Sequence, residues 1–307
     1  MPAGWGDRGE RRHRYRHYQD GGRTVADDAS ATRRAELGAF LTSRRGRLRP
    51  ADVGLPDGPR RRTPGLRREE VAQLAGIGVT WYTWLEQGRD ITTTAQTLAG
   101  LARALRLTGP ERAYLLRLAR PADALDVPEL DDGARHALTT FVAALAEPAY
   151  LMDARWDVVA YNDALTAWIE LDYADVPPER RNVIVQTFTL RSWRDRQRDW
   201  ERVARTCLAA FRASYAVAVG DPRMSEVVAL LERSSPEFRA WWPEHDLLDG
   251  PAQSLQVHEH PRVGTVTVEN TLLHPATAPR LWLGIHTPAD PDSAERLARL
   301  RTPAARR

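Results

Sequence analysis

The chain contains no lysine: all 44 of its Lys and Arg positions are arginine. GC-rich coding would produce that bias without any functional demand for arginine. It has a single cysteine, Cys207. That excludes an intramolecular disulfide and an all-cysteine metal site, and it suits a reducing compartment. No apolar run approaches the roughly 20 residues of a membrane helix, and the start lacks the apolar core of a secretory signal. A cytoplasmic protein with no membrane partner is expected. Also missing are a Gly-rich phosphate loop, a nucleophile elbow and a metalloprotease-type His pair on a helix. The expectation is therefore a protein that is not an enzyme and needs no cofactor.

A chain of 307 residues, 42% of them hydrophobic, is long enough for two domains with real cores. The net charge of +3 hides an asymmetry. Residues 1–120 carry 23 Arg against 13 Asp and Glu, for +10, and the remainder carries −7. A basic first part and an acidic second part imply that only the first meets a polyanion.

The most informative stretch is residues 66–90, LRREEVAQLAGIGVTWYTWLEQGRD. Val71, Ala72, Leu74 and Ala75 give a first helix an apolar side. Gly76 stands where the chain must turn, because Gly enters the left-handed conformation without penalty. Tyr82 and Leu85 lie three apart on one face of a second helix that ends at Gly88. Thr80, Trp81, Thr83 and Trp84 fall on its other sides. A helical hairpin of no special function shares this pattern, but a helix-turn-helix uses it to lay its second helix in the major groove of double-stranded DNA. Arginines 33, 34, 44, 45, 47, 49, 60, 61, 62, 67 and 68 crowd the preceding segment, as non-specific phosphate affinity would require.

The chain divides by composition. Residues 1–30 read as a disordered basic tail, rich in Gly and Arg and without apolar periodicity. Residues 31–120 read as five helices, with Leu37, Phe40 and Leu41 on the first and Leu98, Leu101, Ala102 and Leu105 on the fourth. A Pro/Gly-broken basic loop lies between the first and second helices, and 121–130 is the linker. In 131–302, AYLMD and RWDVVAYN alternate like a hairpin, helices follow, and SLQVHEH, GTVTVENTLL and RLWLGIHT are strand-like. Residues 303–307 form a tail. The fold class is α+β, with one antiparallel sheet whose ends come together and helices over one face that enclose a cavity.

The run TPGLRREEVAQLAGIGVTWYTWLEQGRD, followed by LARALRL and ERAYLLRLA, resembles the lambda-repressor-like (XRE) helix-turn-helix proteins, and more narrowly the MmyB-like regulators of actinobacteria. PAYLMDARWDVVAYNDAL, RRNV, DWE, DPRMSEVVALL, SPEFRAWWPEHD and HPRVGTVTVE are similar to the ligand-binding domain of the same regulators. The resemblance covers residues 33–300. It implies a five-helix DNA-binding domain followed by a PAS-like sensor, and a transcriptional regulator responsive to a small apolar or fatty-acid-like effector. It places Val79, Thr80, Trp81, Thr83 and Trp84 on the groove-facing side, and Arg67 and Arg68 where the preceding helix meets phosphate. Arg45 and Glu86 match a structural ion pair. Val, Thr and Trp cannot define a base by paired hydrogen bonds, so specificity falls to Arg60, Arg61 and Arg62, to half-site spacing or to DNA shape. Trp81 and Trp84 have a second reading, as residues packed on the domain's own surface.

In the sensor, the resemblance makes Trp156, Tyr161, Trp168, Phe188, Trp193, Phe211 and Trp282 candidates to line the cavity, with Arg181 and Asn182 as holders of a polar head group. His258 and His260 share a strand face, with His245 and Asp246 upstream, but no spacing fixes a third metal ligand. A homodimer is expected, because one recognition helix gives a small interface. The competing reading is a DNA-binding adaptor or antitoxin-like protein whose second domain binds a protein.

Overall fold

The computed structural model describes residues 25–56, 65–120, 132–247, 254–276 and 278–301. The loop arginines Arg60, Arg61 and Arg62, the linker 121–130 and the tail 303–307 lie outside the described residues.

Helix α1, Val25–Arg47, starts six residues before the expected boundary, so Val25–Ser30 belong to a helix and not to a tail. Asp27 and Asp28 in its first turn favour the positive end of the helix dipole. Helices α2 (Arg68–Ala75), α3 (Val79–Glu86), α4 (Ala95–Ala104) and α5 (Gly109–Ala119) complete the domain. Phe40, Leu41, Leu66, Val71, Tyr82, Leu98, Leu101 and Leu115 are fully or almost fully buried at its centre. Leu74, expected on the apolar side of α2, is exposed; Val71 and Ala72 are buried and Ala75 packs against the core beside them. Two threonines fix helix starts, Thr94 accepting from the Thr97 amide and Thr108 exchanging bonds with Glu111.

The second domain opens with α6 (Asp132–Ala144), the hairpin β1 (Ala149–Met152) and β2 (Val158–Tyr161), and α7 (Asp163–Ile169). Five helices follow: α8 (Val183–Thr189), α9 (Arg191–Arg196), α10 (Trp200–Val217), α11 (Pro222–Ser234) and α12 (Pro236–Trp241). Strands β3 (Ser254–His260), β4 (Gly264–Leu273) and β5 (Trp282–Pro288), and helix α13 (Pro291–Arg301), close the chain. The sheet order is β2-β1-β5-β4-β3, antiparallel throughout. The early and late strands join where Ala149 faces Ile285, as the strand grammar implied.

Both sheet faces are covered, which corrects the expectation of helices on one face. Side chains alternate along β1. Ala149 and Leu151 meet Val142 of α6 on one side, and Tyr150 and Met152 enter the main core on the other. Gly284 of β5, opposite Tyr150, has no side chain for a reason: a Cβ there would lie 2.3 Å from the Tyr150 ring. That clearance lets the tyrosine lie over the sheet.

Candidate nucleic-acid interface and ligand cavity

The turn between α2 and α3 depends on Gly76, at φ 69°. Its left-handed conformation lets the Ile77 amide reach the Ala72 carbonyl at 3.0 Å, satisfying the end of α2. Helix α3 packs on α1 and α2. Tyr82, Leu85 and Glu86 point inward, while Val79, Thr80 and Trp84 are exposed. Trp81 and Thr83 are half-buried, and Trp81 packs against the core. The two tryptophans therefore differ: Trp81 serves the domain's own packing, and Trp84 faces outward with the Arg89 guanidinium 5.6 Å from its ring centre.

Beneath α3 the Glu86 side chain is fully buried and carries two arginines. Arg45 Nε lies 2.6 Å from Oε1, and Arg68 Nε lies 2.5 Å from Oε2. Arg45 also donates to the Leu66 carbonyl at 2.8 Å. Burial pushes the Glu86 carboxyl up, but the hydrogen bonds from Arg45 and Arg68 outweigh it and hold the group below the usual carboxylate range. The pair ties α1 to α3 and sets the angle at which the second helix is presented. Arg68, expected on phosphate, is thus half-exposed and engaged with Glu86. Arg67 stands at the start of α2 with its side chain in solvent.

Much of the arginine cluster serves contacts inside the molecule. Arg33 donates to the Val219 carbonyl at 3.3 Å, and Arg47 pairs with Asp246 at 2.6 Å. Arg44 is buried, 3.1 Å from Glu111, and donates to the His245 carbonyl. The bonds to Val219, His245 and Asp246 join the DNA-binding domain to the second domain along a polar seam. At its centre Glu36 of α1 accepts from the Tyr114 hydroxyl at 2.6 Å, and its carboxylate lies 3.2 Å from His245 Nδ1 and 3.7 Å from Arg212 Nη1. Arg212 of α10 is 0% exposed and also donates to the Trp242 carbonyl. Burial pushes Glu36 up, and its bonds to His245 and Tyr114 more than reverse this. Sequence reasoning assigned nothing to Glu36 and Arg212, because their partners lie far along the chain.

Between the sheet and α8–α10 lies a cavity of about 90 Å³. Its walls are Tyr150 and Met152 of β1, Leu165 and Ile169 of α7, Val183, Gln186 and Thr187 of α8, and Gln256, Asn270, Leu272 and His286 from the sheet. Helix α10 supplies Val203, Thr206, Cys207 and Ala210. That i, i+3, i+4, i+7 spacing is one helical face, a signal legible in the sequence. Burial pushes the Cys207 thiol up to about 12 and His286 down to about 4, so both are neutral at neutral pH.

Of the expected lining residues, Trp156 and Trp193 reach this cavity. The others are corrected. Trp168 is buried among His258, His260 and Trp193. Phe188 packs on Trp200, Phe238 and Trp241, and Phe211 on Trp242 and the edge of Trp156. Tyr161 bonds Asp172 near the surface, and Trp282 lies against His274. The Arg181 guanidinium turns to the Val176 and Ala174 carbonyls at 2.7 and 3.2 Å. Asn182, 0% exposed, caps α8 and bonds Asp157 and the Arg155 carbonyl. Neither faces the cavity. His258 and His260 share a face, as the strand period requires, and pack on Trp168. Among the described residues no group of three His, Cys, Asp or Glu could hold a metal ion, and no helix is long and apolar enough to cross a membrane.

An outward-facing second helix on one domain and a cavity in a sheet-and-helix domain define a ligand-responsive DNA-binding regulator. Residues 36–115 match a helix-turn-helix domain, and residues 134–300 match the MmyB-like transcription regulator ligand binding domain. No curated protein matches the chain. The second match spans more than half of the sequence, and the chain belongs to the MmyB-like transcription regulators.

Proposed function

We propose that this regulator is a cytoplasmic, non-enzymatic homodimer whose cavity takes a small, mainly apolar effector and whose α10 transmits occupancy to the DNA-binding domain. The observation that carries this reading is the position of α10. Arg212 lies nine residues from Val203, or 900° at 100° per residue, half a turn away from the cavity face. One face of α10 thus lines the cavity, and the opposite face holds Glu36 and His245 at the seam. A ligand that binds one placement of α10 better than another shifts the population of seam geometries, and with it the spacing of two α3 helices in a dimer. On DNA, Val79, Thr80, Thr83 and Trp84 would meet thymine methyls and sugars, with Arg67, Arg89 and the loop Arg60–Arg62 on phosphates. Arg68 would reach phosphate only by sharing itself with Glu86.

The test begins with genome-wide mapping of bound DNA, which supplies an operator. Fluorescence anisotropy on that operator is then measured with and without extracted cell lipids. Ala210→Phe, which fills the cavity from α10, should keep operator binding and lose the response to lipid. An unchanged response in Ala210→Phe would remove the cavity from the mechanism.

A further inference from the structure

The polar atoms of the cavity wall carry a preference about the ligand's charge. Gln186 accepts from the Tyr173 hydroxyl through Oε1 at 2.5 Å, which leaves its Nε2 as a buried donor with no protein partner. Asn270 Oδ1 is a buried acceptor without a protein partner, and Nδ1 of the His286 ring has none either. Asn270 and His286 are register partners on β4 and β5, so both arise from one patch of sheet. Among the described residues, no arginine and no carboxylate lines the cavity. Buried polar groups without partners are uncommon in folded proteins and mark places where something else completes the bonding.

We propose that the cavity selects an uncharged amphiphile, an apolar body bearing an alcohol or carboxamide group, over a carboxylate of the same length. This rests on the reading of the cavity as the effector site. A carboxamide carbonyl accepts from Gln186 Nε2, and its N–H donates to Asn270 Oδ1; a hydroxyl can do either. A carboxylate would surrender its hydration with no cation to meet it, and an unpaired buried charge is among the costliest things a protein can enclose. It would also face Asn270 Oδ1, an acceptor like itself. His286 is held neutral by burial, so it supplies no counter-charge at neutral pH. The side chain best suited to a carboxylate, Arg181, is turned to backbone carbonyls elsewhere.

The experiment titrates the full chain at pH 7.5 with decan-1-ol, decanamide, decanoate and n-decane, following displacement of an apolar fluorescent probe. The alcohol and the amide should each bind at least about tenfold tighter than decanoate. Gln186→Leu should weaken decanamide at least about fivefold while leaving decane unchanged. Decanoate binding as tightly as the amide would overturn the charge preference and leave the cavity reading standing. Equal losses for decane and decanamide in Gln186→Leu would overturn the assignment of Gln186 as the donor. Failure of all four ligands to bind protein that still shifts its operator would overturn the cavity reading itself. The comparison of ligands on the unaltered protein stands even where the variant misfolds.

Discussion

Acidification from pH 7 to pH 5 should destabilise the sensor domain through its buried histidines. His258 packs between Trp168 and Trp193, with ring centres 4.8 and 4.6 Å away, and burial pushes it down to about 2, helped by His286, Arg196 and His260 nearby. Burial alone brings His286 to about 4, and it brings His260 down as well, with Arg196 adding to the effect. An unfolded histidine titrates near 6.5. The folded state therefore binds fewer protons below that pH. The stability is fully present above about 6.5 and is lost as pH falls towards the folded values. Each such group costs about 1.4 kcal/mol per pH unit in that window. Over the roughly 1.5 units between 6.5 and 5, His258 and His286 together remove about 4 kcal/mol, a large share of a typical domain's stability. Glu36 and Glu86 sit below the usual carboxylate range, so their contributions persist through this window. Urea unfolding at pH 7, 6 and 5, followed by near-ultraviolet circular dichroism, measures the loss, and His258→Leu should remove about half of it. Midpoints that agree across the three pH values, or His258 and His286 imidazole NMR signals titrating near 6.5 in the folded protein, would refute the reasoning.

Three further outcomes are expected. Glu86→Ala leaves Arg45 buried without its carboxylate and should destabilise the DNA-binding domain by about 3 kcal/mol in a melting curve; a wild-type melt would reject the pair's structural role. Arg67→Ala and Arg89→Ala should each weaken binding to all DNA sequences alike and reduce the slope of log K against log salt by about one, measured by anisotropy. Cys207, with its thiol pushed up to about 12, should react with a thiol reagent at pH 8 more than about a thousandfold slower than a free cysteine. Rapid labelling of folded protein would show that the cavity wall opens.

What could be read from the sequence was what local chemistry decides. The turn at Gly76 and the alternation of the five strands each follow from a few adjacent residues. The cavity was less legible. Large aromatics such as Trp168 and Phe188 look like ligand platforms in a sequence, yet they fill the core, because aromatic rings pack first against one another. Cys207 and Ala210 share one face of α10, but the wall opposite them comes from β1, α7, α8 and the late strands, and only the fold gathers those to one place. The arginine cluster was misleading for a related reason. A sequence shows charge but not its partner, and Arg33, Arg44, Arg45, Arg47 and Arg68 each find one within the chain.

The polar seam has a consequence for how such regulators are recombined. Glu36 and Tyr114 come from one domain, and Arg212 and His245 from the other. A chimera that grafts this sensor onto a foreign reading head would bury Arg212 against whatever residue replaced Glu36. The natural cassette is therefore not cut at the linker. It has to carry α1 and α5 along with α10 and the Trp242–Asp246 turn, so that any exchange of DNA specificity is confined to α2, α3 and the residues they present.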